Sequence, residues 1–421
     1  MTSSSGAFYD ALETRDPQQR EADLMTALAR QVAHAQHRAP AFAVLFAGID
    51  AATIDSRAAL AHLPVTRKHE LLARQRASVA AGGDIFGGHA AIARGPHMPR
   101  VFSSPGPIFE PEGTARDYYR MARALYAAGL RRFDLVHNAF SYHFTPAGAM
   151  MESGAHAIGC SVFPGGTGQT EQQVQAMHEL RPDAYAGTPS FLKLILDKAA
   201  ELGVALPTLR KASVGGEAFP GALRDWLHER GIAAYQSYGT ADLGLIAYET
   251  TAREGLVLDE NVIVEIVRPG TGSPVPDGEV GEVVVTTLNP DYPLIRFGTG
   301  DLSAVLAGAC PTGRTNVRIK GWLGRADQTA KVRGMFVHPA QVSEIVRRTP
   351  EVTKARLVVS GEMADDRMTL EVEADSAPDG LADRLAERIR EVTKLRGEVR
   401  IVAPGSLPND GKVIEDQRRV G

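Results

Sequence analysis

Short apolar runs alternate with longer amphipathic segments through the middle of the chain, and this pattern most constrains the fold. Strand-like runs occupy 134–140, 160–163 and 183–186, and helical spacing occupies 147–159, 171–180 and 190–202. A strand, a crossover helix and a second strand form one βαβ unit, so repeated alternation places the strands parallel in a single sheet. The sequence therefore predicts an α/β fold.

The pattern changes on both sides of this region. Helical spacing over 18–37 predicts helices that pack on the outside of the larger domain. The β-branched runs 261–267 and 282–288, separated by a turn-rich loop, predict an antiparallel hairpin. After Gly324, helical and strand-like segments alternate in a mixed order that predicts a small α+β domain.

A chain of 421 residues exceeds what one compact core usually contains, so at least two domains are expected. We assign an N-terminal domain to 1–325 and a mobile C-terminal domain to 326–421. A formal charge of −4, without a long basic run, argues against nucleic-acid and anionic-membrane partners. No apolar stretch is long enough to span a bilayer, no signal peptide is evident, and only Cys160 and Cys310 occur, which together predict a cytoplasmic protein.

Four short motifs contain residues that could bind a nucleotide. They are Tyr238-Gly239-Thr240-Ala241-Asp242, Thr299-Gly300-Asp301, Gly324-Arg325-Ala326-Asp327 and Gly411-Lys412. An aromatic ring can stack on a base, a glycine lets the backbone approach a flat ligand, and an acid can hold Mg²⁺ or ribose hydroxyls. Taken singly, the motifs fit ordinary structural features at least as well: a packed tyrosine, an Asx turn, a charged linker and, by far the commoner case, a solvated lysine.

In this order the motifs resemble those of the adenylate-forming superfamily of acyl-CoA synthetases, adenylation domains and luciferases. The stretches that resemble its phenylacetate–CoA ligase branch are 9–17, 63–68, 136–140, 165–171 and 187–190. The resemblance covers nearly the whole chain. It implies a large N-terminal domain with α/β sheets and a small β region, followed by a mobile α+β domain. It also implies an AMP-forming acid–thiol ligase that converts a carboxylate and ATP to acyl-AMP and then to a coenzyme A thioester.

The resemblance implies roles for individual residues as well. Lys412 would bridge the carboxylate and the α-phosphate as charge develops, and Asp242 would help to hold Mg²⁺. Asp327 would be the hinge residue about which the C-terminal domain rotates. Contacts with ATP and coenzyme A would come from Ser103, Ser104, Gly215, Gly216, Glu217, Tyr238, Gly239, Thr240, Asp301, Arg325, Lys331 and Gly334. The expected cofactors are thus ATP, Mg²⁺ and coenzyme A.

Four ring-bearing residues follow one another at the end of the strand-like run 134–140. They are Phe140, Tyr142, His143 and Phe144. With Pro189 and the backbone of Gly215 and Gly216 we expect them to line an acyl pocket, which favours a flat, apolar acid such as phenylacetate or benzoate. For any single ring, ordinary core packing is an equally good interpretation.

The segment 102–113 departs from the family pattern. A loop rich in Ser, Thr and Gly and followed by a lysine is expected to cradle the phosphates of ATP. Here three prolines lack amide donors, and Glu110 and Glu112 would repel a triphosphate unless they turn away or share Mg²⁺. Ala241 replaces the usual hydroxyl residue beside the acid, and Asp242 replaces the more usual Glu. We therefore expect binding on the pyrophosphate side to be weaker or differently built, or the loop to serve a different substrate.

Two alternatives stay open at the level of sequence. An adenylating enzyme could pass the acyl group to an amine or to a carrier-protein thiol instead of coenzyme A. A nucleotide-binding regulatory or scaffold protein could keep the motifs without ligase turnover. The sequence names neither the acid nor the oligomeric state, and a homodimer is compatible with it.

Overall fold

The computed structural model describes residues 6–268, 271–323, 325–326, 330–333, 335–337, 339–361, 366–374, 378–408 and 412–418. The chain divides into two compact units. One comprises Met1–Phe219 with Arg224–Trp322, and the other comprises Leu323–Gly421 with Pro220–Leu223. The functional boundary after residue 325 remains a prediction.

The helices and the strands are numbered separately in chain order. The helices are α1 Pro17–Arg38, α2 Pro40–Leu45, α3 Arg57–Leu60, α4 Lys68–Ala80, α5 Ala122–Ala127, α6 Ala147–Ile158, α7 Thr170–Leu180, α8 Pro189–Glu201, α9 Gly221–Glu229, α10 Pro339–Arg347 and α11 Leu381–Thr393. The first strands are β1 Thr66–Arg67, β2 Arg100–Ser104, β3 Ile108–Glu112, β4 Leu135–Asn138, β5 Ser161–Phe163, β6 Ala184–Gly187, β7 Lys211–Gly215, β8 Ala233–Thr240, β9 Gly244–Glu249, β10 Leu256–Leu258 and β11 Val262–Val267. The later strands are β12 Gly281–Thr287, β13 Phe297–Ser303, β14 Val305–Leu306, β15 Arg318–Ile319, β16 Ala330–Val332, β17 Met335–Val337, β18 Val352–Ser360, β19 Arg367–Ala374, β20 Glu398–Val402 and β21 Ile414–Asp416.

A large mixed sheet forms the framework of the first unit. Its strand order among the described residues is β14-β15-β10-β9-β8-β7-β6-β4-β5. Strands β5, β4, β6, β7 and β8 are parallel, as the alternation predicts, and α6, α7, α8 and α9 lie between them in sequence. Beyond β8 the sheet continues with antiparallel pairs. The α/β prediction is confirmed, and the antiparallel half is an addition that the alternation does not predict.

Local sequence explains where α8 begins. The hydroxyl of Thr188 accepts a hydrogen bond from the amide of Phe191 at 3.3 Å, and Pro189 occupies the first helical position. Proline suits that position because its φ is already near the helical value and it has no amide hydrogen to leave unsatisfied. The helix therefore starts directly after β6, at the carboxyl edge of the sheet.

A second sheet, in the order β1-β13-β12-β11, contains the predicted hairpin. Strands β11 and β12 pair antiparallel from Val262 opposite Thr287 to Val267 opposite Glu282, which confirms that prediction. Thr299 and Asp301 lie inside β13, whereas the sequence placed them just after a strand. The difference arises because Gly281 and Glu282 of β12 pair with Ser303 and Leu302, so the strand continues past Asp301.

The C-terminal unit has the predicted α+β organisation. Its sheet has the order β20-β19-β18-β21, and an apolar core unites the sheet with α10 and α11. The predicted strand pair is observed as β18 and β19, which are antiparallel from Val352 to Ser360. Throughout the described ranges, no helix has the length and apolarity needed to cross a bilayer.

Candidate active site

The carboxyl ends of three neighbouring parallel strands bring several of the predicted ligand-binding residues to one edge of the sheet. Gly187 of β6 lies opposite Val214 of β7, and Gly215 of β7 lies opposite Ser237 of β8. The carboxylate of Glu217 accepts a hydrogen bond from the amide of Ser190 at 2.7 Å. This bond ties the segment after β7 to the first turn of α8. Ligands of open α/β sheets bind at such an edge.

Tyr238 and Asp301 are in direct contact, although they belong to different sheets. The Tyr238 hydroxyl donates to Asp301 Oδ2 at 2.9 Å and to Thr299 Oγ1 at 3.2 Å. The indole nitrogen of Trp322 donates to Asp301 Oδ1 at 3.0 Å. The carboxylate is therefore held by an aromatic donor on each oxygen. Two of the four motifs thus meet at one point, as the resemblance implies.

The turn between β8 and β9 depends on Gly239. A Cβ atom on this residue would lie 2.5 Å from the carbonyl oxygen of Gly244. No other residue type can occupy the position unless the two strands separate. The close approach fixes the β8–β9 turn, which contains Asp242.

Asp242 is buried within the protein. Its side chain is 0% exposed, and Lys68 Nζ at the start of α4 donates to Oδ2 at 2.9 Å. Glu110 of β3 contacts it from another side, also fully buried. Burial first, and the adjacent Asp242 carboxylate second, raise the pKa of Glu110 well above its ordinary value. Burial beside a second carboxyl therefore favours the neutral form of the Glu110 side chain.

The unpartnered atoms of this cluster support that assignment. Glu110 Oε2 and Asp242 Oδ1 are buried, and neither oxygen receives a hydrogen bond from an N–H or hydroxyl donor. The Ser104 hydroxyl donates to the other oxygen of Glu110, Oε1. A like charge beside a buried carboxyl disfavours its ionised form.

This geometry does not fit Mg²⁺ bound directly to Asp242. Magnesium needs oxygen ligands in a near-octahedral shell and keeps several water molecules, so its protein ligand must face solvent or substrate. Here one oxygen of Asp242 is neutralised by Lys68 and the other lies beside Glu110. Within the described residues, no group of three or more His, Cys, Asp or Glu side chains is arranged to hold a metal.

The β2–β3 hairpin is the segment that departs from the family pattern. Glu110 and Glu112 both point into the protein, because alternate residues of a strand share a face. Glu112 pairs with Arg100 at 3.0 Å. The side chains of Glu110 and Glu112 thus turn into the protein interior. Of the two arrangements that the sequence allowed, turning away or sharing Mg²⁺, this is the first. Ser104 is buried and donates its hydroxyl to Glu110, and the amide of Ser103 donates to the carbonyl of Phe144 at 2.8 Å.

The predicted acyl-pocket residues have different surroundings from one another. Phe140 is buried in the main core. The Tyr142 hydroxyl accepts from Asn138 Nδ2 at 2.7 Å and donates to Glu152 at 2.8 Å, and burial raises its pKa. His143 is exposed, and the ring of Phe144 is 82% exposed on a backbone with φ of 61°. Pro189 is buried at the start of α8. The five residues therefore do not form one closed cluster in this structure.

The remaining predicted residues lie in the C-terminal unit. Lys412 is exposed and directly precedes β21, Arg325 is partly buried, and Lys331 lies in β16. Asp327 and Gly334 lie outside the described residues. Their roles as hinge and tunnel residues stay predictions.

Three residues of the first unit were not assigned to the site from sequence: Lys68, Thr299 as a partner of Tyr238, and Trp322. Lys68 lies in the stretch 63–68, which carries the family resemblance, so the sequence contained a signal for this residue. Its partner Asp242 is distant in sequence, so the pairing itself could not be predicted. Trp322 had no motif around it. Only the pairing of β13 with its neighbours brings Asp301 close to Trp322 and Tyr238.

Comparison with known families is consistent with this geometry. The model described as AMP-binding enzyme matches residues 114–289, and that described as AMP-binding enzyme C-terminal domain matches residues 334–418. A phenylacetate-coenzyme A ligase of Thermus thermophilus is 30% identical, with 95% of this chain and 96% of that protein covered. The enzyme of the same name from Escherichia coli is 32% identical over 69% of this chain and 70% of its own.

A solved structure resembles the whole chain. A 2-hydroxyisobutyryl-CoA ligase in complex with 2-HIB-AMP and CoA superposes with a TM-score of 0.80, covering 100% of this chain and 94% of that one. Its sequence identity is 23%, so it supports the fold alone.

Proposed function

The chain belongs to the phenylacetate–coenzyme A ligase family of AMP-binding enzymes, and from this we propose that its substrate is an aromatic acid of the phenylacetate or benzoate type. The reaction is ATP-dependent activation of a carboxylic acid to acyl-AMP, followed by formation of the coenzyme A thioester. The family relatives named for phenylacetate support the substrate class.

The contact of Tyr238 with Asp301 is the observation that best supports adenylation. We assign the Tyr238 ring to the adenine and the Asp301 carboxylate to the ribose hydroxyls. The hydroxyl bond at 2.9 Å fixes the two side chains relative to one another before a nucleotide arrives. Gly215, Gly216 and Glu217 form another wall of the same site. Such preorganisation limits the conformational entropy that would otherwise be lost on binding.

Lys412 supplies positive charge as the carboxylate attacks the α-phosphate. Its role is electrostatic stabilisation rather than proton transfer, because negative charge develops on the phosphate in this step. ATP enters as its magnesium complex, with the ion carried by the phosphates. Arg325, Lys331 and Gly334 are assigned to nucleotide and pantetheine contacts, and Asp327 is assigned to the hinge.

Pyrophosphate release tests this function. The purified enzyme would be given ATP, Mg²⁺ and one acid from a panel of phenylacetate, benzoate, 2-hydroxyisobutyrate and acetate. We expect an aryl acid to exceed acetate by about a hundredfold in kcat/KM, since the aryl ring buries far more apolar surface than a methyl group. Coenzyme A should then be consumed with one thioester formed for each pyrophosphate.

Two other outcomes of this assay would indicate a different function. Acyl-AMP formation without consumption of coenzyme A would favour an amine or a carrier protein as the acceptor. The absence of pyrophosphate release with every acid, despite ATP binding, would contradict ligase function.

A further inference from the structure

We propose that Trp322 is a positioning residue for the nucleotide, whose indole N–H orients the Asp301 carboxylate toward the ribose hydroxyls of ATP. This deepens, and rests on, the function proposed above. Trp322 acts through Asp301 and does not itself bind the reacting groups. The consequence is that the enzyme distinguishes ATP from an analogue without ribose hydroxyls more strongly when the indole N–H is present.

Asp301 lies in an irregular part of β13, where the regular pairing with β12 is interrupted. The register shifts here, so the three residues 299–301 lie opposite the single residue Val283. The middle residue, Gly300, has a φ of 74°. A bulge of this kind changes the direction in which side chains point, and bulges are common beside active sites. The Asp301 carboxylate therefore depends on contacts of its own to hold one orientation.

The main chain of the bulge is held by Thr299. Its hydroxyl donates to the carbonyl oxygen of Val283 at 3.0 Å and accepts from the amide of Asp301 at 3.1 Å. One oxygen of the carboxylate, Oδ2, accepts from the Tyr238 hydroxyl at 2.9 Å. The main chain and one carboxylate oxygen are thus fixed within the first unit, and Trp322 contacts the other oxygen.

Trp322 reaches this oxygen because the chain after β15 returns along the end of β13. Two hydrogen bonds hold the returning segment. The amide of Lys320 donates to the carbonyl oxygen of Ala304 at 2.9 Å, and the Ser303 hydroxyl donates to that of Gly321 at 2.7 Å. These bonds place the residue that follows Gly321 beside β13.

The indole N–H completes the orientation of the carboxylate. Trp322 Nε1 donates to Asp301 Oδ1 at 3.0 Å, and the bond from Tyr238 is made to Oδ2. Rotation of the carboxylate out of this plane would weaken both bonds. An indole N–H can only donate, and a carboxylate oxygen can accept more than one hydrogen bond. A protein donor and a ribose hydroxyl can therefore share one oxygen, and the acceptors are already placed when ATP binds.

Trp322→Phe removes the N–H and keeps an aromatic ring. Equilibrium binding of ATP, in the absence of any acid, would be compared with binding of 2′,3′-dideoxyATP, which lacks both ribose hydroxyls. We expect the Kd for ATP to rise about fivefold, the cost of immobilising one side chain on binding, and the Kd for the analogue to change less than about twofold. A purely structural role of Trp322 would weaken binding of both nucleotides equally, and that result would overturn the proposal.

Trp226→Phe is the matched control, and it also makes a sharper test possible. Trp226 lies in α9 with its ring against Lys193 and Arg230, so this variant should bind both nucleotides as the wild type does. The chain has only two tryptophans. In Trp226→Phe, global replacement of tryptophan by 3-benzothienylalanine therefore changes Trp322 alone.

This tryptophan analogue has a sulfur atom in place of the N–H, in a ring of nearly the same shape. It tests the N–H even if Trp322→Phe is destabilised by the smaller ring. We expect the analogue to weaken ATP binding as Trp322→Phe does and to leave 2′,3′-dideoxyATP binding nearly unchanged. Unchanged ATP binding would show that the ring alone is required, and would overturn the proposal.

Binding without turnover separates this proposal from the proposed function. If the wild type releases pyrophosphate but Trp322→Phe weakens both nucleotides equally, the positioning role fails and the ligase function stands. If the weakening is confined to ATP in a protein that releases no pyrophosphate with any acid, the positioning role stands and the ligase function fails.

Discussion

Lys412 and His89 show how the surroundings of one side chain decide what its charge can do. Lys412 lies exposed in the C-terminal unit, where its ammonium group is accessible to a substrate. His89 is fully buried, with Nδ1 3.3 Å from the carbonyl oxygen of Phe86 and its ring against Phe42. Burial lowers the pKa of His89 to about 4. The two residues thus differ in exposure, and burial changes the pKa of His89.

Lys412→Ala should abolish acyl-AMP formation and spare the second step. The positive charge is needed only where negative charge develops at the α-phosphate, so loss of about a hundredfold or more in adenylation is expected. Thioester formation from supplied acyl-AMP and coenzyme A should stay near the wild-type rate. Lys198→Ala, which removes an exposed lysine paired within α8, is the control. Equal loss of both steps would contradict the assigned role.

His89 should make the folded state less stable as the pH falls. The folded protein keeps the ring neutral down to about pH 4, whereas the unfolded chain protonates it near 6.5. Between these values the unfolded state binds more protons, so acid favours unfolding. Between pH 7 and pH 4, protonation of this residue in the unfolded chain should lower the free energy of unfolding by up to about 3 kcal/mol. His89→Gln should remove this part of the pH dependence.

Denaturant unfolding at a series of pH values measures this effect. Any constant difference in stability between the glutamine variant and the wild type is subtracted, so only the pH dependence counts. His62→Gln, at an exposed histidine, is the control. An unchanged pH dependence in His89→Gln would show that the folded protein tolerates a charged ring at this position.

At the scale of elements, the β8–β9 turn has the greatest effect on the site. It connects the parallel and antiparallel halves of the large sheet, and it places Tyr238 and Asp242 on the same short segment. The register shifts by one residue between Tyr238 and Gly239, and Gly244 has a φ of 71°. A register shift of this kind changes the direction in which the neighbouring side chains point, compared with a regular hairpin.

Gly239→Ala should destabilise this turn and impair the site. The new Cβ would lie 2.5 Å from the carbonyl oxygen of Gly244, so the strands must separate. We expect a loss of about 1–3 kcal/mol in the free energy of unfolding. The KM for ATP should rise because Tyr238 shifts. Gly221→Ala introduces a Cβ with no heavy atom within 4 Å and should have little effect; similar losses in both variants would contradict this account.

At the scale of the whole molecule, the N-terminal segment is bound to distant parts of the first unit by buried charges. Glu13 is 1% exposed and accepts hydrogen bonds from Arg314 Nε at 2.6 Å and from the Tyr248 hydroxyl at 2.7 Å. Asp10 pairs with Arg123 at 2.6 Å. These contacts give a structural reason for the acidic residues in the opening stretch, which the sequence identifies only by family resemblance.

Glu13→Gln should cost about 3 kcal/mol in unfolding free energy, because it leaves the buried Arg314 guanidinium without its counter-ion. The control is Glu21→Gln, whose partner Arg57 is 43% exposed and whose ion pair is therefore screened by solvent. We expect the control to change stability by less than about 0.5 kcal/mol. The free energy of unfolding would be measured by chemical denaturation. Equal changes in Glu13→Gln and Glu21→Gln would show that the N-terminal segment is not a structural part of the core.

The sequence by itself determined the parallel sheet, the hairpin β11–β12, the α+β C-terminal unit and the family. These features follow from local information: hydrophobic period, turn residues and the order of short motifs are all read along the chain. The order of the motifs, through the family resemblance, indicated candidate nucleotide-binding residues and singled out 102–113 as unusual.

Only the tertiary structure decided how those residues meet. Tyr238 reaches Asp301 and Trp322, and Asp242 meets Lys68 and Glu110, because strands and helices far apart in sequence pack at one edge of the sheet. The raised pKa of Glu110 is also a tertiary property, since it depends on burial beside a second carboxyl that no sequence pattern pairs with it. For the same reason, Phe140 and Phe144 look alike in the sequence, yet one is buried in the core and the other is exposed.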